Sequence, residues 1–328
     1  MELLCVALRQ ETPTIRTFCL RPAEPVPFEA GQALALRVPL PAGPVWRSFT
    51  ISGAGPEGTL ELTIKAQAPG GATRWLHDHF AVGQRIEARA PRGRFTLALR
   101  QEGGLALVSG GSGATPMRAM LASLAQDDPG ADVVWLHFAR SRDEVLFPHD
   151  LADWQRRMSG LRVVVALSRP EPGWFGLTGR PSRAGVAAMV PDFGRRQVFC
   201  CGPAGFMTAI RLIHAAEGGD RARFHTESFG APPPQTPVVA PGSAEFRMTI
   251  AGREIGVRAD ESILQASLRQ GVIIPCGCGE GMCGTCMVRL TAGQFETTPN
   301  GGLSPEEAAQ GYVLACSTRA ASDIAVSL

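Results

Sequence analysis

Four cysteines constrain this chain more than any other feature: Cys278, Cys283, Cys286 and Cys316. They read C-x4-C-x2-C, then 29 intervening residues, then the fourth cysteine. This is the ligand spacing of a plant-type [2Fe–2S] centre, in which three thiolates on one tight loop and a fourth from a distant segment enclose the cluster. The loop CGCGEGMCGTC supplies glycines that permit positive φ and bring backbone N–H groups close to sulfur. A zinc ribbon would pair two C-x2-C knuckles, and only one occurs here. Cys276 is a fifth thiol beside the loop, but only Cys278 completes the x4 spacing, so Cys276 is read as a neighbour. Rieske ligation needs histidines, and no C-x-H occurs. Such a cluster moves one electron at a time, so something else in the chain has to feed it.

Length and composition leave room for that source. The 328 residues can form two or three domains, and 45% hydrophobic content is ordinary for a globular chain. A net charge of +2 gives no electrostatic case for nucleic acid. No apolar run has the length of a membrane span. The start MELLCVALRQ lacks a basic n-region followed by an apolar h-region, so a signal peptide is not expected and the expected location is cytoplasmic. Nine cysteines, five of them within residues 276–316, then read as redox or metal chemistry rather than as disulfides.

Three blocks follow one another. Residues 1–100 alternate apolar and polar in short runs such as ALALRVPL and LELTIKA, which predicts an antiparallel β-barrel. Residues 101–230 carry the apolar strands LALVSG, VVWLHFA, LRVVVALS and QVFCCG separated by helical stretches, which predicts a parallel, doubly wound α/β domain. A Pro-rich linker spans 231–244. Residues 245–328 begin with a hairpin about Gly252, then a helix with Asp260 as its expected N-cap and Ile263, Leu264 and Leu268 on its apolar face, then the cysteine loop. That order predicts a β-grasp ferredoxin domain.

The turn VSGGSGATPM (108–117) joins an apolar strand to a helix. Gly110, Gly111 and Gly113 allow close approach of a pyrophosphate, Thr115 is the expected cap, and Pro116 suits the first turn. It departs from a strict G-x-G-x-x-G, because Pro116 stands where the third glycine would be.

Together these features resemble the ferredoxin–NADP reductase superfamily. In particular they resemble its fused flavin/NAD/[2Fe–2S] members, the reductase components of Rieske-type oxygenase systems with phthalate dioxygenase reductase-like architecture. Arg47-Ser48-Phe49-Thr50 is similar to the family's R-x-Y-[ST] flavin motif. The resemblance implies that Arg47 meets flavin phosphate, Phe49 packs on the isoalloxazine and Thr50 lies near flavin N5; Phe49 in place of Tyr removes a phenol hydrogen bond. Gly70, Gly71, Ala72 and Thr73 look like the family's phosphate-binding turn. Gly111, Gly113, Thr115 and Pro116 match its G-x-G-x-T-P nucleotide turn. Cys201-Gly202-Pro203 is similar to its C-G-P stretch, which implies a thiol near the nicotinamide. Glu227-Ser228-Phe229 resembles its E-x-F, which implies Glu227 near hydride transfer and Phe229 over the flavin.

The implied cofactors are FAD, with FMN the alternative; a [2Fe–2S] cluster; and NADH, with NADPH the alternative. Ser168 and Arg169, with Arg140 and Arg142, are the side chains that would meet a 2′-phosphate. The implied activity is NAD(P)H-dependent reduction of a separate electron-accepting protein, first a Rieske-type terminal oxygenase, otherwise a desaturase, a hybrid-cluster protein or another hydroxylase. A self-contained flavin reductase or oxidase with an incidental cluster is the competing expectation.

Overall fold

The computed structural model describes residues 1–67, 69–229, 245–274, 276, 279, 281, 284, 286–298, 303 and 305–328. The Pro-rich stretch, Cys278 and Cys283 lie outside the described residues.

The first unit is a barrel of β1 (Glu2–Thr12), β2 (Ile15–Pro22), β3 (Ala33–Leu40), β4 (Gly43–Ala54), β5 (Leu60–Lys65) and β6 (Arg85–Glu87), with helix α1 (Ala72–His79) between the last two strands. The strand order is β3-β4-β5-β2-β1-β6, all antiparallel. Single bridges from Leu36 to Ala88 and from Ala33 to Arg92 bring the two edges together. Alternation along the strands sends Leu34, Leu36 and Val38 inward with Ile51, Leu60, Leu62 and Ile64. His77 of α1 is half-buried and bonds through its ring nitrogen to the Ile64 carbonyl at 2.9 Å.

The second unit contains β7 (Leu105–Gly110), α2 (Ala114–Asp127), β8 (Val133–Ala139), α3 (Pro148–Arg157), β9 (Leu161–Leu167), β10 (Leu177–Thr178), α4 (Arg183–Met189), β11 (Gln197–Cys201), α5 (Ala204–Ala216) and β12 (Phe224–Glu227). Its sheet is wholly parallel in the order β10-β9-β8-β7-β11-β12. Every residue of β7, β8 and β11 is buried, as covering by helices on both faces requires. Strand order reverses between β7 and β11, so a crevice opens beyond their carboxyl ends.

One buried polar group in this sheet matters for pH. Trp135 Nε1 donates to Ser109 Oγ at 2.8 Å, which leaves the Ser109 hydroxyl to donate to His137 Nδ1, also at 2.8 Å. Burial holds the His137 imidazole down at about 4, so the ring is neutral and its Nε2 is buried without a partner among the described residues.

The barrel and the nucleotide sheet share one seam. Ile15 and Phe95 of the barrel belong to the same apolar cluster as Leu107, Met117, Trp135 and Phe199. Over it, Arg118 of α2 pairs with Glu61 of β5, donates to the Ser52 carbonyl at 3.1 Å and pairs with Asp150 at 2.6 Å. Arg9 adds a second cation to Glu61 at 3.1 Å. Burial pushes the Glu61 carboxyl up, but Arg9 and Arg118 outweigh it and hold the group below its ordinary range. A Cβ at position 53 would stand 2.5 Å from the Arg118 guanidinium, so Gly53 is what admits it.

The third unit is a mixed sheet of β13 (Glu245–Ile250), β14 (Arg253–Arg258), β15 (Met287–Ala292), β17 (Tyr312–Leu314) and β19 (Ile324–Ser327), in the order β14-β13-β19-β15-β17. Helices α6 (Ile263–Arg269) and α7 (Pro305–Ala309) and a small ribbon of β16 (Phe295–Thr297) and β18 (Thr318–Ala320) complete it. Two expectations are corrected here. The N-cap of α6 is Ser262, not Asp260, because Ser262 and Gln265 form a reciprocal capping box. Leu268 is 55% exposed: the buried stripe runs through Ile263 and Ser267, and Leu268 falls about 100° beyond it.

Two outcomes follow. The β13–β14 turn is Ala251-Gly252 with φ of 51° and 73°, the type I′ geometry that favours Asn-Gly. Ala251→Asn should therefore raise stability by about 1 kcal/mol, read as a higher midpoint in thermal unfolding. His137 is neutral when folded and titrates near 6.5 when unfolded, so the unfolded chain binds more protons as pH falls from 6.5 toward about 4. Its contribution is complete above that window and declines by about 3 kcal/mol across it. In denaturant titrations from pH 7 to pH 4, His137→Leu should flatten this acid limb, although it lowers stability at pH 7.

Candidate functional site

A cleft opens where the seam meets the crevice. Its walls are Ser48, Phe49 and Thr50 of β4, Thr63, Ile64 and Lys65 of β5, Gln67, Thr73 of α1, Ser112 and Thr115 of the nucleotide turn, and Phe229. The barrel contributes one side and the nucleotide unit the other. Phe49 lines the cleft while it also packs against the barrel core. Arg47 does not line the cleft; it is exposed, and its guanidinium donates to the neighbouring Trp46 carbonyl at 2.7 Å.

The glycine turns are explained by what surrounds them. A Cβ at Gly113 would lie 2.1 Å from the Cys201 carbonyl oxygen, so no other residue fits there. A Cβ at Gly202 would lie 2.8 Å from the Phe206 ring and 3.1 Å from Gly110 N. The Gly110–Gly113 turn and the Cys201-Gly202-Pro203 turn thus touch at the strand-order reversal. Gly111 has φ of 55° and open space where a Cβ would stand.

Thr115 is not the helix cap. It sits inside α2, where its hydroxyl donates to the Ser112 carbonyl at 3.0 Å; the N-cap is Gly113, which provides no side-chain cap. The Ala114 N–H turns back onto the Gly111 and Ser112 carbonyls, so it is the Gly111–Gly113 turn, with the positive end of the α2 dipole behind it, that faces a ligand. Gly71 likewise caps α1 without a side chain, with Gly70 before it at φ of 81° and Ala72 buried behind. Thr73 Oγ1 accepts from Gln67 N at 3.1 Å, which draws that turn over the cleft.

The structure brings the expected reaction residues together. Thr50 Oγ1 donates to Glu227 Oε2 at 3.2 Å, linking β4 of the barrel to β12 across 177 residues of sequence. Both are nearly buried, at 4% and 6% exposure. Glu227 pairs in register with Cys201, and Cys201 with Ser109. Cys201 is fully buried; burial, then the neighbouring Glu227 charge and Cys200, pushes its thiol well up. It is therefore a neutral S–H at any physiological pH, not a nucleophile. Phe229, 39% exposed, borders the same cleft.

Sequence reasoning passed over Lys65, although it is the only lysine in the chain and immediately precedes the glycine turn by a few residues. Ser168 and Arg169 do lie beside Arg140, since Ser168 N donates to the Ala139 carbonyl and Arg169 N to the Arg140 carbonyl. Arg142 stacks 5.6 Å over the Trp174 ring.

Of the four spaced cysteines, Cys286 and Cys316 are described. Their sulfurs stand 3.2 Å apart, and Gly281 N donates to Cys316 Sγ at 3.2 Å. Gly279, Gly281 and Gly284 have φ of 69°, 75° and 71°, conformations that only glycine adopts readily. Cys276 packs against the domain core beside Cys286.

These residues fit the groups they are expected to hold. Two uncapped helix N-termini and a lysine suit an anionic phosphate chain, and the aromatic Phe49 and Phe229 suit a flat ring. Close sulfur atoms on a glycine loop, with a backbone N–H on one of them, suit an iron–sulfur cluster.

Comparison with known proteins agrees across the chain. Residues 9–97 match the oxidoreductase FAD-binding domain family, 107–212 the oxidoreductase NAD-binding domain family, and 248–321 the 2Fe-2S iron-sulfur cluster binding domain family. The chain is 35% identical to the stachydrine N-demethylase reductase subunit Stc4 of Rhizobium meliloti, over 96% of this chain and 93% of that protein. It is 32% identical to the glycine betaine monooxygenase reductase subunit of Pseudomonas aeruginosa, over 98% and 93%. In fold it is similar to phthalate dioxygenase reductase, with a TM-score of 0.59 at 23% identity, covering 100% of this chain and 98% of that one. The chain belongs to the family of oxidoreductases that join FAD-binding, NAD-binding and [2Fe–2S] domains and serve as reductase components of oxygenase systems.

Proposed function

We propose that this chain carries electrons from NAD(P)H to a separate Rieske-type terminal oxygenase, with the cleft as entry and the Cys278, Cys283, Cys286 and Cys316 loop as exit. The observation that carries the reading is the Thr50–Glu227 hydrogen bond, which closes the barrel against the nucleotide unit beside Cys201 and Phe229. Names of relatives at 35% and 32% identity, both reductase subunits of oxygen-dependent or demethylating systems, support a separate oxygenase as acceptor.

A bound flavin supplies the conversion of a two-electron hydride into single electrons. The chain's own residues do the positioning. The uncapped start of α2 and the Gly111–Thr115 turn hold the nucleotide pyrophosphate, and the Gly70–Thr73 turn with Lys65 holds flavin phosphate. Phe49 would meet the flavin ring, with Ser48 and Thr50 as its neighbours in the cleft wall. The Thr50 hydroxyl, fixed by Glu227, would help to position the two rings. Cys201 stays a neutral thiol beside Glu227, and Gly202 and Pro203 add no charge of their own. Phe229 borders the cleft, where it would give way to a nicotinamide and help to exclude water. The exposed Arg47 would have to leave the Trp46 carbonyl to reach flavin phosphate. The same reading assigns residues 1–100, 101–230 and 245–328 to flavin, nucleotide and cluster, with 231–244 as tether.

Glu227→Ala should slow hydride transfer about 10-fold or more in anaerobic stopped-flow, because Thr50 loses its partner and the two rings lose alignment, while NAD(P)H affinity changes little. An unchanged rate would remove Glu227 from the site. Cys283→Ser should retain flavin reduction by NAD(P)H and lose transfer to one-electron protein acceptors. Full acceptor turnover in verified cluster-free protein would instead favour a self-contained flavin reductase.

A further inference from the structure

The segment Ala90–Phe95, after β6, reaches from the barrel to the cysteine-bearing unit. Its backbone is fixed on the barrel side: Ala33 N donates to the Arg92 carbonyl at 2.8 Å, and Arg92 N to the Ala33 carbonyl at 2.9 Å. The Arg92 and Arg94 side chains reach the other way. Arg92 Nη1 lies 3.4 Å from Glu307 Oε1 and 3.9 Å from Met287 Sδ. Arg94 Nη1 donates to the Leu303 carbonyl at 2.8 Å. Met287 directly follows Cys286, while Leu303 and Glu307 lie on the approach to β17 and Cys316. The two arginines therefore grip both flanks of the cysteine loop. Between them and Gly284 of that loop lies a cavity of about 340 Å³.

The same segment is tied to the cleft. Ala33 pairs with Thr50 in the β3–β4 register, and Ile51 N donates to the Gln32 carbonyl at 2.9 Å. From Thr50 to Ala33 to Arg92 is two interstrand steps of about 4.8 Å each along a hydrogen-bonded sheet edge. Arg92 then touches the residue next to a cysteine ligand of the expected cluster. A rigid barrel edge thus connects the place where electrons enter to the loop where they leave.

From this geometry we infer that Arg92 and Arg94 are positioning residues that hold the cysteine loop against the barrel for electron transfer from the cleft. The inference rests on the relay reading above. It gives these two side chains a role separate from flavin or nucleotide binding, since neither lines the cleft. The contact is sparse and polar, with Arg92 and Glu307 at 51% and 35% side-chain exposure, so salt should weaken it.

The test is anaerobic stopped-flow on the holoprotein at low and high salt, following flavin bleaching and cluster reduction as separate signals after mixing with NAD(P)H. The double variant Arg92→Ala/Arg94→Ala should bleach its flavin at the wild-type rate and turn over a small dye acceptor of the flavin normally. Its cluster reduction should slow at least about five-fold, the effect of losing two exposed polar contacts. High salt should slow the wild type toward the variant and leave the variant nearly unchanged. Arg92→Lys with Arg94 intact should recover most of the rate. An EPR signal of wild-type intensity in dithionite-reduced variant establishes that the cluster is intact. Equal cluster-reduction rates in wild type and double variant would overturn the inference. A wild type whose intact cluster is never reduced by NAD(P)H would overturn the relay reading, and this inference with it.

Discussion

The Arg118 guanidinium, half-buried between α2 and the barrel, is the contact on which the rest of the site depends. It is held by Glu61, Asp150 and the Ser52 carbonyl, and it stacks 4.8 Å over the Phe147 ring. A charge this enclosed is tolerated because its Nε and Nη1 donors meet two carboxylates and a carbonyl, and removing one partner would leave the other charge stranded. The geometry that satisfies it is unique: α2 has to lie across β4 and β5 with Gly53 beneath it. That placement sets the Gly111–Thr115 turn opposite Ser48–Thr50 and turns two separate folds into one cleft.

Within that frame the remaining pieces are local consequences. Reversal of strand order at β7 and β11 opens the crevice. Gly113 allows the β7 turn to pack on Cys201, and Cys201 aligns in register with Glu227. Glu227 is then close enough to accept from Thr50 across the seam. The fixed elements are strands and helix starts, while the residues that touch a ligand stand at their ends. This is how a rigid scaffold can hold two flat rings in register and still open to admit one of them.

Much of this was legible in the sequence. Period-two runs marked the barrel strands, continuous apolar runs marked the parallel strands, and the cysteine spacing marked the cluster loop. What could not be read were contacts that depend on tertiary placement. Asp260 reads as the helix cap in the sequence, but the cap is Ser262, where Gln265 reaches back to complete a capping box. Thr115 looks like a cap, yet Gly113 takes that place because the turn has to pass within van der Waals contact of Cys201. Leu268 has a helix-face spacing, but a helix of seven residues has too few turns for its pattern to fix the direction of the core. Arg118 and Lys65 carry no motif; their importance comes from what they meet across the seam and in the cleft. Arg92 and Arg94 are similarly silent in a chain where nearly all the basic residues are arginine.

The central claim is that one chain joins a two-electron entry to a one-electron exit. The most direct measurement is an anaerobic titration of the fully loaded protein with NAD(P)H, with electrons counted optically and by EPR. The account predicts uptake of roughly three electron equivalents per chain, two at the flavin and one at the cluster, with an iron–sulfur EPR signal that develops as NAD(P)H is added. Uptake that ends at roughly two equivalents, with iron fully loaded and no cluster signal at any point, would contradict it.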